Sequence, residues 1–426
     1  MQIDGCWYTV LVHQPLTDRN DLPAQTAIAA PPVVPARAWT MLALGVAAQA
    51  AGTLVVSAPA LLIPHLLARG MPFASAGLFA AAPTIGLVLT LIAWGAVTDR
   101  VGERVVIAGG LALTTLTVVA AWATAGDPLL LGVAFLAAGM TSASTNAASG
   151  RVVVGWFPRE RRGLAMGIRQ MSQPLGVTLA AVTVPVLTET HGIRAALVLP
   201  FVLCAVLTVL CAVGIVDPPR PRRVGAAAGT ATQDGRVNPY RSSGFLWRVH
   251  LVSVLLVVPQ FTLSTYGLVW LVGLGWSTPA AGLLVGASQF VGAVGRILVG
   301  AWSDRAGSRV GPLRIVAVAA AAVMGALALV DVSHWAPAAV FLVVATSVTV
   351  ADNGLAYTSV AEAAGPSWSG RALGAQNTGQ FLAASAVGPG VGALVGVLGF
   401  AASFAIVAAL PLLALPVVPR ADVSHD

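Results

Sequence analysis

The chain has 426 residues, of which 57% are hydrophobic and only 9% charged, with a mean hydropathy of +0.85. A soluble protein of this length needs far more charge to cover its surface, so a soluble enzyme is set aside. All 23 basic residues are Arg and the formal net charge is +7. Without Lys there is no Gly-Lys-Ser/Thr phosphate loop, and ATP-driven transport by this chain alone is not expected.

Residues 1–38 are polar, contain Pro and mixed charge, and lack the pattern of a cleavable signal peptide. They are expected to form a cytoplasmic tail without regular order. From Trp39 to Val418, runs of roughly 18 to 25 apolar residues recur, each long enough to cross about 30 Å of hydrocarbon. The predicted spans are 39–63, 74–97, 105–125, 129–151, 163–187 and 193–216, then 246–272, 278–301, 313–331, 337–361, 371–397 and 400–418. Cys204 and Cys211 share one span as packing residues and, with Cys6, show no metal-ligand spacing. The stretch 217–244, with Pro218, Pro219, Arg220, Pro221, Arg222 and Arg223, reads as a flexible linker. It separates bundles over 39–216 and 245–418, and a short tail covers 419–426.

Arg residues fall unevenly between the loops. One set holds Arg100 and Arg104, Arg159, Arg161 and Arg162, Arg220 to Arg241, Arg305 and Arg309, and Arg371. The opposite set holds only Arg69 and Arg194. The excess of positive charge on cytoplasmic loops therefore predicts a cell-membrane protein with both termini inside. It also accounts for the basic charge without nucleic acid as a partner.

The chain repeats itself. Gly95, Asp99, Arg100, Gly102 and Arg104 match Gly300, Asp304, Arg305, Gly307 and Arg309 at an offset of 205 (Asp99 to Asp304). At an offset of 207, Gly167, Arg169, Gln170 and Gln173 align with Gly374, Gln376, Asn377 and Gln380, and Asn146 aligns with Asn353. Two parallel halves suit a transporter built around a midplane site. The expected fold is an all-α membrane protein with twelve transmembrane helices in two pseudo-symmetric six-helix bundles.

The duplicated loops resemble the signature of the major facilitator superfamily, found between spans 2 and 3 and again between spans 8 and 9. The likeness extends over residues 39 to 418. It implies two bundles rocking around a central cavity, with the loops acting as a gating latch that does not touch substrate. The implied latch residues are Gly95, Asp99, Arg100 and Arg104, then Gly300, Asp304, Arg305 and Arg309. Glu362 and Arg371 border the second latch, and Arg151 with Arg161 and Arg162 the first; interfacial anchoring is the alternative for these. Glycine would let helices approach closely, Asp would face a helix N-terminus of the other half, and Arg would pair with acids. Glu103 departs from the pattern, standing where a basic residue is common.

A charged side chain within hydrocarbon is costly and usually faces a cavity. Arg296 on span 8, Arg169 on span 5 and Asp352 on span 10 are the candidates. Arg296 resembles the anion-binding Arg of nitrate/nitrite porters, oxalate/formate exchangers and monocarboxylate transporters, and a guanidinium matches a carboxylate bidentately. The matching position in span 2 is Leu91, so the paired Arg of the nitrate porters is missing. Arg169, Gln170 and Gln173 form a polar stripe before Pro174 and Gly176, mirrored by Gln376, Asn377 and Gln380; it also resembles cyanate-transporter-like sequences. An interhelical hydrogen-bond network is the competing reading of that stripe. Gln49, Gln260, Tyr266 and Gln289 can add hydrogen bonds. Asp352, opposite Thr145 in the repeat, is the candidate proton-coupling site, because a desolvated carboxyl group can take up and release a proton. A fixed ion pair with an Arg is the alternative. Asn146 and Asn353 read as helix-packing groups, and Trp270 and Trp276 as interfacial anchors.

The expected function is alternating-access transport of a small organic anion, by exchange or proton symport. Arg296, Arg169, Gln173, Gln376, Gln380, Gln49 and Tyr266 form the expected binding set. The chain is expected to be a monomer with no enzymatic activity, cofactor or metal. Its partners would be a small anionic substrate, the lipid bilayer and coupling protons. A drug or metabolite exporter with a larger apolar cavity, and a non-transporting membrane sensor or assembly protein, are the rival readings.

Overall fold

The computed structural model describes residues 35–157, 165, 167–217, 238–333 and 337–422, and every regular element among them is an α-helix. Eleven helical stretches among these residues are long and apolar enough to cross a membrane. They are Ala36–Ala68 (span 1), Phe73–Thr98 (2), Glu103–Ala123 (3), Pro128–Val153 (4), Gly167–His191 (5), Ile193–Gly214 (6), Phe245–Gly273 (7), Thr278–Ala306 (8), Val310–Ser333 (9), Ala338–Gly365 (10) and Gly370–Ala414. The last is interrupted at Gly399, whose φ of 79° and ψ of 178° are open to glycine because it has no Cβ. Two crossings result, 370–398 (span 11) and 400–414 (span 12), and the total is the twelve expected from the repeated apolar runs.

These helices bury small residues beside large ones such as Phe135 and Leu54, and turn other large apolar side chains outward. Ala48, Ala138 and Ala180 are fully buried, whereas Ile92, Val213 and Val397 are 74%, 77% and 82% exposed. Lipid tails solvate those exposed side chains as well as protein would, so close packing of small residues carries helix association. Trp270 differs from its reading as an interfacial anchor. It is 1% exposed, donates from Nε1 to Asp331 Oδ1 (2.7 Å) and packs edge-on against Phe404. Near-uniform hydrophobicity along span 7 hides which face is interior. Trp276 is 36% exposed.

The two halves meet along two seams at the Arg-poor end. In one, Gly77 of span 2 lies so close to Gly388 of span 11 that an added Cβ would meet the Gly388 carbonyl oxygen at 2.0 Å. In the other, a Cβ on Gly282 of span 8 would meet the Ala181 carbonyl of span 5 at 2.3 Å, and Thr178 Oγ1 donates to the Gly286 carbonyl (3.1 Å). At the Arg-rich end, Gly95 and Gly300 have open space around them. The two seams close the halves against each other at the Arg-poor end.

Equivalent acids tie each half together. Asp217 Oδ1, beyond span 6, accepts from Arg104 N at the start of span 3 (2.8 Å). Asp422 Oδ1, beyond span 12, accepts from Arg309 N (2.9 Å) and Val310 N (3.0 Å) at the start of span 9. Both carboxylates satisfy amide groups that a helix start leaves unpaired.

Candidate functional site

Between the halves lies a cavity of about 1170 Å³, its mouth included. Spans 1, 2, 4 and 5 contribute one wall and spans 7, 8, 10 and 11 the other. Arg296 is the one charged side chain among its described lining residues. Polar groups from both halves also line the cavity, including Gln49, Asn146 and Gln173 on one side and Gln260 and Gln289 on the other. Val56, Leu87, Phe261 and Phe381 supply apolar surface.

A break in span 10 places Arg296. The helix ends at Thr349 and resumes at Asp352. Thr346, Ser347, Val348, Thr349 and Val350 form a run poor in helix propensity, and Ser347 and Thr349 hydrogen-bond back to the carbonyls of Val343 and Ala345 (both 2.8 Å). The break frees the Val350 carbonyl, which accepts from Arg296 Nε (3.1 Å). No hydrogen bond to a described residue engages the two terminal guanidinium nitrogens. Asp352 is 1% exposed, and neither carboxylate oxygen has a side-chain partner. Among the described residues no ion pair within 4.0 Å joins it to Arg296. Arg296 is nonetheless near enough for its charge to act on the Asp352 carboxyl.

Arg169 stands behind the cavity wall. Its Nε donates to Ser149 Oγ (3.0 Å), and its Nη2 donates to Asn146 Oδ1 (3.2 Å) and the Asn146 carbonyl (3.1 Å). Ser149 Oγ donates to Gln49 Oε1 (2.9 Å), and Gln49 Nε2 donates to Asn146 Oδ1 (3.4 Å). The turn at Met171 that orients this part of span 5 follows from Pro174, which has no N–H to bond Gln170.

The second half builds a parallel network. Asn353 Nδ2 donates to Gln260 Oε1 (2.8 Å), and Gln380 Nε2 donates to Asn353 Oδ1 (2.8 Å) and Ser253 Oγ (2.6 Å). Tyr357 closes it on Asn377 and Gln380 and lies near enough to Arg169, Arg296 and Asp352 to feel their charges. Gln49–Asn146 and Gln260–Asn353 therefore join equivalent helix pairs in the two halves, with donor and acceptor exchanged. Gln376 contacts His250, whose other ring nitrogen meets the Tyr240 hydroxyl (2.9 Å).

Of the expected binding set, Arg296, Gln49 and Gln173 line the cavity. Arg169, Gln376 and Gln380 sit behind it in the networks. Tyr266 lies elsewhere: fully buried in the closed seam, it donates to the Gly388 carbonyl and packs against Gly77 and Gly392. Its position on span 7 fixed the helix but not the height of the closure. Asn146 lines the cavity although duplication alone suggested packing. Tyr357 and the Val350 carbonyl carried no signal in the sequence.

The latch residues do not converge across the halves in this conformation. Arg309 Nη1 is 2.5 Å from Asp304 Oδ1 and its Nη2 3.2 Å from Glu362 Oε1, all within the second half. Arg104 Nε donates to the Ala212 carbonyl (2.7 Å), and Glu103 pairs with Arg151 (3.3 Å). Arg100 and Arg305 are exposed. Arg371 stacks over Trp368 (4.9 Å to the ring centre) and makes no described contact with Glu362. The Asp99 side chain and Arg159, Arg161 and Arg162 lie outside the described residues, as does Cys6.

Comparison with known proteins agrees with this architecture. A family model described as Major Facilitator Superfamily matches residues 40–389. Over 384 residues the chain is 45% identical to a Mycobacterium tuberculosis protein named an uncharacterized MFS-type transporter, spanning 89% of this chain and 84% of that one. A stretch of 164 residues is 30% identical to an Arabidopsis thaliana protein named "Probable anion transporter 4, chloroplastic", covering 38% of this chain and 30% of that one. Among solved structures, a bacterial homologue of the human lysosomal transporter Spinster, inward-facing and occupied, aligns at a TM-score of 0.72 and 16% identity over 93% of this chain and all 100% of that one. A D-xylose-proton symporter aligns at 0.73 and 17% identity, over 91% and 98% of the two chains. At such identities the structural likeness shows the fold alone.

Proposed function

The chain belongs to the Major Facilitator Superfamily, and on that premise we propose that this multi-pass membrane transporter carries a small organic anion coupled to protons. The observation that carries the proposal is Arg296. It is the one charge among the described residues lining a central cavity, and its two terminal nitrogens are left for a ligand while Nε is held by Val350. Two parallel N–H donors on a planar cation match the two oxygens of a carboxylate. The 30% identity to a plant protein named as an anion transporter points the same way over part of the chain.

In this reading the Arg-rich loops and both termini are cytoplasmic and the conformation is inward-facing. Asp352, with both oxygens buried and without side-chain partners, is the proton site. Rocking about the glycine seams would close the Arg-rich end and expose the same site to the other side. The apolar-cavity exporter is the weaker reading because a charged residue, Arg296, and polar groups from both halves share the cavity lining with its apolar residues.

Thermal stability of the detergent-purified protein tests the anion assignment. Small carboxylates are expected to raise Tm in the wild type and not in Arg296→Ala. Stabilisation by hydrophobic cations, unchanged in Arg296→Ala, would move the assignment to the exporter.

A further inference from the structure

Resting on the anion reading, we infer that the substrate is a carboxylate bearing a second oxygen acceptor away from its charged end, recognised by Asn146 and Gln260 while Arg169 acts as a positioning residue. The inference comes from the direction of the hydrogen bonds behind the cavity wall.

A guanidinium can only donate, so Arg169 sets the sense of every bond around it. Asn146 must turn its Oδ1 toward Arg169 Nη2 (3.2 Å), and that same oxygen takes the Gln49 Nε2 bond (3.4 Å). Ser149 Oγ accepts from Arg169 Nε (3.0 Å) and therefore spends its own proton on Gln49 Oε1 (2.9 Å). One group is left over: the Asn146 amide nitrogen, on a residue that lines the cavity, without a described partner. Across the cavity, Gln260 Oε1 is taken by Asn353 Nδ2 (2.8 Å), and again the amide nitrogen is what remains.

The cavity thus presents donors from opposite walls: the Arg296 terminal nitrogens and Gln260 Nε2 from the second half, and Asn146 Nδ2 from the first. While the cavity is open, water can satisfy them. Once it closes around a ligand, each donor needs an oxygen or is left buried and unpaired, which discriminates strongly against a ligand lacking that oxygen. A simple aliphatic monocarboxylate satisfies Arg296 and leaves the amides of Asn146 and Gln260 empty. A hydroxy, oxo or second carboxylate group satisfies them and bridges the two halves.

Uptake of labelled butyrate, γ-hydroxybutyrate and succinate, with the neutral polyol erythritol beside them, into proteoliposomes tests this. The wild type is expected to carry at least one oxygen-bearing acid about tenfold better than butyrate in kcat/KM. Asn146→Asp keeps an oxygen for Arg169 and Gln49 but removes the donor, and is expected to narrow that ratio to about twofold. Arg169→Gln should narrow it too, mainly through KM, with Arg169→Lys intermediate; a purely structural role would lower uptake of all three acids alike. Equal uptake of the three acids by the wild type, or a ratio that survives Asn146→Asp, would overturn the inference and leave the anion reading standing. Uptake of erythritol with none of the acids moving would overturn both.

Discussion

Arg296 Nε donates to the Val350 carbonyl across 3.1 Å, joining the charge in the cavity to the break in span 10. An occupant of the terminal nitrogens therefore pulls on an arginine that is already anchored to a discontinuous helix. Arg296→Lys keeps the charge but loses both the planar fork and this anchor. The expected result is a fall of at least about tenfold in kcat/KM for anion uptake, chiefly through KM. Initial rates in proteoliposomes measure it.

Asp352 is buried, its oxygens without side-chain partners, one residue beyond that same break. Asp352→Asn mimics the protonated acid in both shape and charge. It should abolish accumulation driven by a proton gradient while anion exchange at equal pH continues. Retained gradient-driven accumulation would remove Asp352 from the coupling step.

Gly77 and Gly388 touch through their backbones at the closed end. A methyl group at Gly77 would sit 2.0 Å from the Gly388 carbonyl oxygen, a distance that real Cβ atoms do not tolerate. Gly77→Ala should therefore shift the population away from this conformation. In a background without reactive cysteines, Thr265→Cys in the cavity should become more accessible to a membrane-impermeant thiol reagent from the Arg-poor side. Unchanged labelling would mean that the seam does not hold the closure.

Asp422 links the C-terminal turn to span 9. Burial alone would raise its carboxyl, but hydrogen bonds from Ser308 Oγ and the amides of Arg309 and Val310, with the Arg309 charge, hold it below the usual carboxylate range. A folded-state value that is depressed stabilises the protein above the unfolded value and loses that effect as pH falls through the folded one. Asp422→Ala should lower Tm by about 1–2 °C at neutral pH, in line with a lost helix cap. The difference from wild type should shrink below about pH 4.

Much of the membrane architecture was legible because length and hydropathy suffice for a span, and because the duplicated Gly95–Arg104 and Gly300–Arg309 loops place the halves in register. Duplication also flagged Asn146 and Asn353, though not their partners: Gln49 and Gln260 are offset by 211, four residues outside the register of the others. Equivalence of Asp217 and Asp422 obeys the 205 offset, but two isolated acids beyond the last span of each half give no pattern of their own. Arg169 was visible as a charge within a span, whereas its place behind Asn146 depends on helix rotation that apolar spans do not encode. The break at Val350 has no marker in the sequence, because it contains neither Pro nor Gly. Closure at the Arg-poor end, which put Tyr266 in a seam, is a property of conformation that composition does not carry.

The central claim is that a small organic anion is the cargo and Arg296 its charge partner. Uptake by proteoliposomes of labelled small anions, a neutral polyol and a cationic drug, wild type against Arg296→Ala, tests it most directly. The account predicts saturable uptake of at least one carboxylate, stimulated by an inward proton gradient and lost in Arg296→Ala. Transport of the cation or the polyol alone, at equal rates in both proteins, would contradict it.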